Sequence, residues 1–364
     1  MPVTGPRTVT RRAPGKLFVA GEYAVVEPGN QAILVAVDRY VTVTVSDGAA
    51  PGVVVSSDIG AGRVHHPWRD GRLTGGTGMP HVVAAVETVA RLLAERGRSV
   101  PPLAVSISST LHEGGRKLGL GSSGAVTVAT VSAVAAHCGL ELTAEEHFRT
   151  ALIAAARVDP KGSGGDIATS TWGGWIAYRA PDRDAVLDLT RRQGVEEALR
   201  APWPDFSVRR LSPPRNLCLE VGWTGNPVST TSLVTDLQRR TWRGSPAYRK
   251  YVGATGELVQ AAVIALEDGD AEGLLRQVRR ARQELVRLDD EVRLGIFTPE
   301  LTALCAIAER VGGAAKPSGA GGGDCGIALL DAEAGYDRSP LHRQWAAAGV
   351  LPLPVSPAAE GVEE

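Results

Sequence analysis

Two α+β domains are the fold that the sequence predicts, and three observations support it. Strand and helix patterns occur in mixed blocks rather than in strict alternation, which argues against a doubly wound parallel sheet. A chain of 364 residues is longer than one ordinary hydrophobic core supports. A charged, proline-bearing stretch at residues 181–214 is typical of a domain junction, so we place the domains at residues 1–205 and 206–364.

The first domain shows alternating strand patterns before and between its helices. Period-two alternation predicts strands at residues 17–20, 32–45 and 103–108, and Gly- and Pro-rich residues 49–79 predict short strands and loops. A proline followed by an amphipathic pattern predicts a helix at 80–96, and further helices are expected from residue 122 and at 144–157. Residues 171–178 then predict a strand that closes this domain.

The second domain is predicted to be richer in helices. A strand is expected at 216–223, followed by helices at 229–240, 247–269, 272–289 and 299–311. A glycine-rich turn at 320–326 leads into a strand that ends near residue 330. The tail from residue 352 carries no clear pattern, and we expect it to be loose.

The composition narrows the class of protein. A formal net charge of -1 gives no general attraction for nucleic acid or for an anionic membrane, so we expect neither as a partner. Four cysteines lie far apart without a Cys-x-x-Cys pair, which argues against a disulfide scaffold and against a zinc site. We therefore expect the protein in the reducing cytoplasm. The oligomeric state stays open between monomer and homodimer.

A glycine-rich turn directly before an apolar helix is the first chemical signal. Residues 117–125 read Lys-Leu-Gly-Leu-Gly-Ser-Ser-Gly-Ala. Free N–H groups in the first helical turn, together with glycines, can surround a phosphate. The segment is not a P-loop, because Ala125 follows Gly124 and no lysine comes after it. Such a turn also occurs for structural reasons alone, so by itself it leaves both interpretations open.

Three separated segments share this character. They are Pro-Gly-Lys-Leu-Phe-Val-Ala-Gly-Glu-Tyr at 14–23, Gly-Leu-Gly-Ser-Ser-Gly-Ala at 119–125 and Lys-Pro-Ser-Gly-Ala-Gly-Gly-Gly-Asp-Cys at 316–325. In this order they resemble the three signature motifs of the GHMP kinases, the superfamily of galactokinase, homoserine kinase, mevalonate kinase and phosphomevalonate kinase. The resemblance implies an ATP-dependent small-molecule kinase with a ribosomal-protein-S5-like N-terminal domain and a ferredoxin-like C-terminal domain.

The resemblance also implies roles for particular residues. The middle motif would bind the ATP phosphates, Lys16 would lie near the transferred phosphate, and the third motif would close the site. By the same analogy Ser123 would be a ligand of Mg²⁺, and ATP and Mg²⁺ the cofactors. The ATP-binding residues expected in this way are Lys117, Gly119, Leu120, Gly121, Ser122, Ser123 and Gly124.

A fourth segment, residues 161–178, resembles the catalytic-aspartate segment of the mevalonate kinase branch and places that aspartate at Asp166. A mevalonate kinase is expected to carry a metal-binding glutamate at the position of Ala155. The Gly-Glu-Tyr at 21–23 and residues 221–231 resemble phosphomevalonate kinases better, which implies phosphomevalonate as the small-molecule substrate and isoprenoid synthesis as the pathway. The substrate-binding residues we expect are Lys16, Lys117, Lys161, Ser163, Asp166, Thr230, Gly321 and Gly322.

The chemistry of the acceptor gives separate support. An alcohol would need Asp166 as a general base, whereas a phosphate, with a second pKa of about 6, is largely ionised near pH 7. Repulsion between two anions is then the main obstacle, and Lys117 and Lys161 could offset it. These two lysines could also be solvated, Asp166 and Thr230 could be caps, and Gly319 to Gly323 could form only a turn.

Three rival functions remain at this stage. They are a mevalonate kinase or another alcohol kinase of the superfamily, a non-catalytic nucleotide-binding regulator, and a diphosphomevalonate decarboxylase. Retention of Lys16 and Asp166 argues against the regulator, and the Gly-Trp-Thr-Gly at 222–225 argues against the decarboxylase.

Overall fold

The computed structural model describes residues 7–59, 62–76, 78–225, 244–332 and 337–363. The predicted helix at 229–240 and Thr230 therefore lie outside the described residues. Within the described ranges no helix combines the length and apolarity needed to cross a membrane.

The first domain is built on a seven-stranded, mostly antiparallel sheet. Its strands are β1 (Thr8–Ala20), β2 (Gln31–Asp47), β3 (Val53–Ser57), β4 (Arg63–His66), β7 (Leu103–Ser109), β10 (Trp175–Arg179) and β11 (Ser207–Leu211). Two short hairpins lie outside this sheet and pair β5 (Trp68–Arg69) with β6 (Arg72–Leu73) and β8 (His112–Glu113) with β9 (Arg116–Lys117). The order is β11-β10-β2-β7-β3-β4, with β1 paired along β2, and β3 with β7 is the parallel pair. The long strand β2 therefore organises the sheet, because β1, β7 and β10 all bond to it.

The helices of the first domain are α1 (Pro80–Glu95), α2 (Ser122–His137), α3 (Ala144–Val158), α4 (Gly165–Trp172), α5 (Arg183–Gln193) and α6 (Val195–Arg200). Helix α1 buries an apolar stripe that includes Val82, Val86 and Val89, as its sequence pattern predicts. Helix α2 is buried along most of its length, and its Gly, Ala, Ser, Thr and Val residues are small enough for close packing on several sides.

The second domain has a four-stranded antiparallel sheet in the order β13-β14-β12-β15. Its elements are β12 (Leu217–Trp223), α7 (Pro246–Asp268), α8 (Ala271–Val292), α9 (Pro299–Arg310), β13 (Ala314–Pro317), β14 (Cys325–Asp331), α10 (Ser339–Ala347) and β15 (Leu351–Leu353). Strand β12 precedes the helices, β13 and β14 form a hairpin, and α10 returns the chain to β15, which is the β-α-β-β-α-β succession of ferredoxin-like folds. The predicted α+β class is confirmed in both domains.

The prediction of a strand that begins at residue 171 is wrong at its start. Thr171 and Trp172 end helix α4 rather than begin a strand, because Gly173 with φ 67° stops the helix and β10 starts only at Trp175. The stretch at 181–214, in which we place the domain junction, contains α5, α6 and β11. Strand β11 pairs with β10, so the first sheet continues past residue 205.

The C-terminal tail is ordered, which contradicts the expected loose end. Beyond β15 the chain returns to the first domain, where the Ala358 N–H donates to Ala36 at 2.9 Å and the Gly174 N–H donates to Ala358 at 2.7 Å. Glu363 exchanges two backbone hydrogen bonds with Arg12. The tail was hard to predict because backbone groups, rather than an apolar pattern, hold it in place.

The tail approaches helix α4 so closely that only glycine fits. A Cβ on Gly361 would overlap the backbone of Thr171 and Trp172. We therefore expect Gly361→Ala to lower the free energy of unfolding by about 1–3 kcal/mol, measured by urea denaturation, because an added methyl in a packed contact forces backbone shifts.

Gly253→Ala is the matched control for this substitution. Gly253 lies inside α7, and a Cβ added there would have no atom within 4 Å, so alanine should leave stability unchanged or raise it by about 0.5–1 kcal/mol. Equal stability of the Gly361→Ala variant and the wild type would contradict the tight contact.

Candidate active site

A cavity of about 600 Å³ lies where the first domain meets the third motif. Nine of the residues expected to bind ATP, substrate or metal line it: Lys16, Lys117, Gly119, Gly121, Ser122, Ser123, Lys161, Ser163 and Asp166. Residues far apart in the sequence are thus brought to one space, as the three-motif pattern predicts.

The glycine-rich turn passes closely over two charged side chains. Gly121, at φ 79°, precedes the first turn of α2, and a Cβ there would lie 2.9 Å from Cγ of Lys16. A Cβ on Gly124 would lie 2.6 Å from Oδ2 of Asp166. Side chains at these positions would therefore displace the pair. No side chain of the described residues caps the start of α2 at Gly121, so its first N–H groups remain available to an anion.

Lys16 and Asp166 come from different elements that are tied together. Lys16 lies on β1, is only 9% exposed, and its N–H donates to the Leu120 carbonyl at 2.8 Å. Asp166 lies in the first turn of α4, and Ser170 of the same helix donates to the Pro14 carbonyl at 2.7 Å. Within the described ranges neither side chain forms an ion pair, and both line the cavity.

A buried ion pair joins the first motif to the third. Lys316 on β13 is fully buried and donates to Glu22, which is 4% exposed. The Lys316 ammonium also donates to the Pro317 carbonyl at 2.8 Å, and the Gly319 N–H donates to Glu22 at 3.4 Å. Burial lowers the pKa of Lys316, whereas the negative charge of Glu22 opposes this change. The pair therefore fixes the second domain against the strand that carries Lys16.

Further hydrogen bonds support the same junction. Ser318 accepts from the Phe18 N–H at 2.8 Å and donates to the Phe18 carbonyl at 3.0 Å. The Tyr23 hydroxyl donates to Ala320 at 2.5 Å, and the Tyr251 hydroxyl of α7 donates to the Glu22 carbonyl at 2.8 Å. The segment after Lys16 is thus held on two sides by the second domain.

The third motif also contacts the glycine-rich turn. A Cβ on Gly119 would lie 2.8 Å from Cγ of Asp324, and the Cys325 thiol donates to the Leu118 carbonyl at 2.9 Å. Gly319, Ala320 and Asp324 line the cavity. The motif therefore shapes the space and supports the turn at the same time.

Four of the expected site residues lie outside the lining of this cavity. Leu120 is buried and supplies the carbonyl that accepts from Lys16, and Gly124 lies beneath Asp166. Gly321 and Gly322 pack against Ile296, whose carbonyl accepts from the Gly322 N–H at 2.9 Å. Thr230 lies outside the described residues.

Sequence reasoning missed several residues of the cavity wall. Glu22 and Tyr23 belong to the first motif, but its pattern assigns them no role. His81 directly follows the helix-starting Pro80, which was the one signal that could have placed it at a helix terminus. Burial lowers the pKa of His81, and the negative charges of Asp166 and Asp159 oppose this change. Arg183 gave no signal, because it reads as one more arginine in a charged stretch.

Loss of the Lys316 charge should strongly destabilise the protein. We expect Lys316→Met to lower the free energy of unfolding by about 3–5 kcal/mol in chemical denaturation, because Glu22 would remain buried without its partner. Replacing both residues, as Glu22→Leu with Lys316→Met, should recover most of this loss.

An exposed ion pair provides the control. Arg191 and Asp188 pair on the surface of α5, so Arg191→Met should cost at most about 1 kcal/mol. A similarly small effect of Lys316→Met would show that the buried pair does not hold the junction.

Comparison with known proteins agrees with this geometry. The family model for the GHMP kinases N-terminal domain matches residues 81–174, and the model for the GHMP kinases C-terminal domain matches residues 262–340. A phosphomevalonate kinase of Streptomyces sp. (strain CL190) is 64% identical over 99% of this chain and 100% of its own length.

Solved structures show the same two-domain arrangement. The Lin0012 protein of Listeria innocua superposes with a TM-score of 0.90 and 32% identity, covering 98% of this chain and 100% of that one. The phosphomevalonate kinase of Streptococcus pneumoniae, in complex with phosphomevalonate and AMPPNP, superposes with a TM-score of 0.84 and 27% identity, covering 96% and 100%. With both domains matched and a relative this similar over nearly its whole length, the chain belongs to the GHMP kinases and is an ATP-dependent kinase of a small molecule.

Proposed function

We propose that this protein transfers the γ-phosphoryl group of ATP to (R)-5-phosphomevalonate, giving 5-diphosphomevalonate and ADP in isoprenoid synthesis. The observation that carries the proposal is the collection of Lys16, Lys117 and Lys161 around one cavity beside an uncapped helix terminus. Two phosphorylated substrates need this much positive charge, and one phosphorylated substrate with an alcohol needs less. The named relatives support the same acceptor.

The turn at residues 119–124 would hold the ATP phosphates. Its glycines allow the main chain to approach the phosphates, and the N–H groups at the start of α2 would donate to their oxygens. Lys16 would neutralise charge on the phosphoryl group as it transfers, since its ammonium lies beside the turn and is not paired within the described residues. Most of the catalysis would then come from positioning and electrostatics.

Asp166 would position the acceptor and Lys16 rather than remove a proton in every cycle. The attacking oxygen belongs to a phosphate whose second pKa is about 6, so it is largely ionised near pH 7. Lys117 and Lys161 would reduce the repulsion between the two phosphates, and Ser163 would donate to the acceptor.

The cavity wall also fits a magnesium ion. The hydroxyls of Ser122 and Ser123 line the cavity and form no side-chain hydrogen bond within the described residues, and Ser123 would be the protein ligand beside phosphate oxygens and water. Bound there, the ion would offset negative charge on the phosphates. Ala155 lines the cavity where a mevalonate kinase is expected to carry a carboxylate, and the described residues contain no cluster of three acidic, His or Cys ligands.

The remaining expectations concern the cellular compartment and the oligomeric state of the enzyme. We propose that it acts in the cytoplasm, with four free cysteines that fit a reducing compartment, and that it is a monomer or a homodimer.

Parallel assays with two acceptors test the function directly. ADP release measured by a coupled assay should be rapid with phosphomevalonate and absent with mevalonate. Turnover of mevalonate alone would instead identify an alcohol kinase, and release of CO₂ would identify a decarboxylase.

Lysine substitutions test the site. We expect Lys16→Met to lower kcat with phosphomevalonate about 100- to 1,000-fold, because a charge aimed at the transferring group is lost. Lys250→Met is the matched control, since Lys250 is exposed on α7 and does not line the cavity, and it should retain wild-type kcat. Unchanged in-cell function of the Lys16→Met and Asp166→Asn variants would favour a non-catalytic regulator.

A further inference from the structure

Arg183 is a buried cation in the wall of the cavity. It begins α5, is 8% exposed and lines the cavity together with Val25 and Val26. Its Nη2 donates to the Val26 carbonyl at 2.6 Å, and its Nε donates to the Pro160 carbonyl at 3.3 Å. The guanidinium is thus fixed between two segments that both belong to the cavity wall.

The third nitrogen of this guanidinium has no partner within the described residues. Nη1 is buried and forms no hydrogen bond there, and Arg183 forms no ion pair with any of the described residues either. A buried guanidinium nitrogen without an acceptor is costly, and so is a buried charge without a counter-charge. Burial lowers the pKa of Arg183, and the negative charges around it do not fully offset this effect.

Arg183 is anchored by segments of the wall other than those that pack on the glycine-rich turn. It is held by Val26 and Pro160, whereas the glycine-rich turn packs on Lys16, Asp166 and Asp324. The wall of the cavity is partly apolar. Its apolar lining residues include Val25, Val26, Leu152, Ala155, Ala156 and Val158.

We propose that Arg183 binds the carboxylate of the acceptor substrate and thereby selects an acid that carries an ionised group at each end. This inference rests on the proposed function. The phosphate of phosphomevalonate must face ATP, so its carboxylate lies at the other end of a short chain that bears a methyl group. A cavity with apolar lining residues and a fixed guanidinium in its wall complements such a molecule, and Arg pairs with carboxylates more specifically than Lys does.

Substitution of Arg183 tests the proposal through the two Michaelis constants. Arg183→Gln should raise KM for phosphomevalonate about 10- to 100-fold and leave KM for ATP unchanged, because a charge-assisted hydrogen bond to the acceptor is lost. Arg183→Lys keeps the charge and should recover part of the loss. Equal increases of KM for both substrates would instead point to a purely structural clamp between Val26 and Pro160.

A substrate analogue distinguishes binding of the carboxylate by Arg183 from a purely structural role of Arg183. The probe is the phosphomevalonate analogue in which a carboxamide replaces the carboxylate. With the wild type, this analogue should show the same increase in KM of about 10- to 100-fold, and with Arg183→Gln it should cause little further increase. If the KM increase caused by the amide analogue multiplies with the KM increase caused by Arg183→Gln, Arg183 does not bind the carboxylate. If the wild type does not phosphorylate phosphomevalonate at all, the proposed function fails before this question arises.

The wild-type measurement needs no variant, so the proposal can be overturned even if Arg183→Gln does not fold. An amide analogue that binds the wild type as well as phosphomevalonate does would exclude the contact. Arg149→Gln is the matched control, because Arg149 is 9% exposed, donates to the Leu199 and Ala201 carbonyls, and does not line the cavity. It should lower stability without changing the ratio of KM values for acid and amide.

Discussion

The ion pair between Glu22 and Lys316 is the contact on which the rest of the site depends. It joins the segment after β1, which carries Lys16, to strand β13, which leads into the third motif. Taking both charges out of water is unfavourable, so such a pair persists only where further hydrogen bonds satisfy it. Pro317 and Gly319 supply them. Because these partners lie at the start of the third motif, the satisfied pair also sets the position of Gly319, Ala320 and Asp324 in the cavity wall.

The distribution of lysines follows from the same site. Among 39 basic residues, lysines occur at positions 16, 117, 161, 250 and 316, so arginine is used almost everywhere else. Three of these lysines line the cavity and Lys316 forms the buried pair, which leaves Lys250 exposed on α7. A compact ammonium on a flexible stem can follow a phosphate that moves during transfer, whereas a planar guanidinium suits a fixed carboxylate. Arg183, anchored by two carbonyls, is of the second kind.

The sequence predicted those parts of the molecule that local chemistry determines. The apolar periodicity of α1 and the glycine-rich turn before α2 were sufficient to predict both helices. Residues whose position depends on distant backbone groups were not predictable. The ordered tail is held by Ala36 and Arg12, and Arg183 is held by Val26 and Pro160. The glycines at 321 and 322 match the third motif, but their packing on Ile296 depends on how α8 and α9 are connected.

The starts of the helices explain how a protein with almost no net charge can hold several anions. Oxygen-bearing side chains cap α3, α5, α7, α8 and α9, and the side chains of Ser163, Glu95 and Asp337 accept from the first N–H groups of α4, α6 and α10. In contrast, α1 and α2 are preceded by Met79 and Gly121, both in the left-handed region, and receive no side-chain cap within the described residues. His81 of α1 and Ser122 of α2 line the cavity, so the two uncapped termini face the same space. The other described helices have side-chain acceptors at their first turns, whereas at α1 and α2 the partial positive charge remains available to a ligand. Under the proposed function, local electrostatics rather than net charge therefore makes this cavity a site for phosphates.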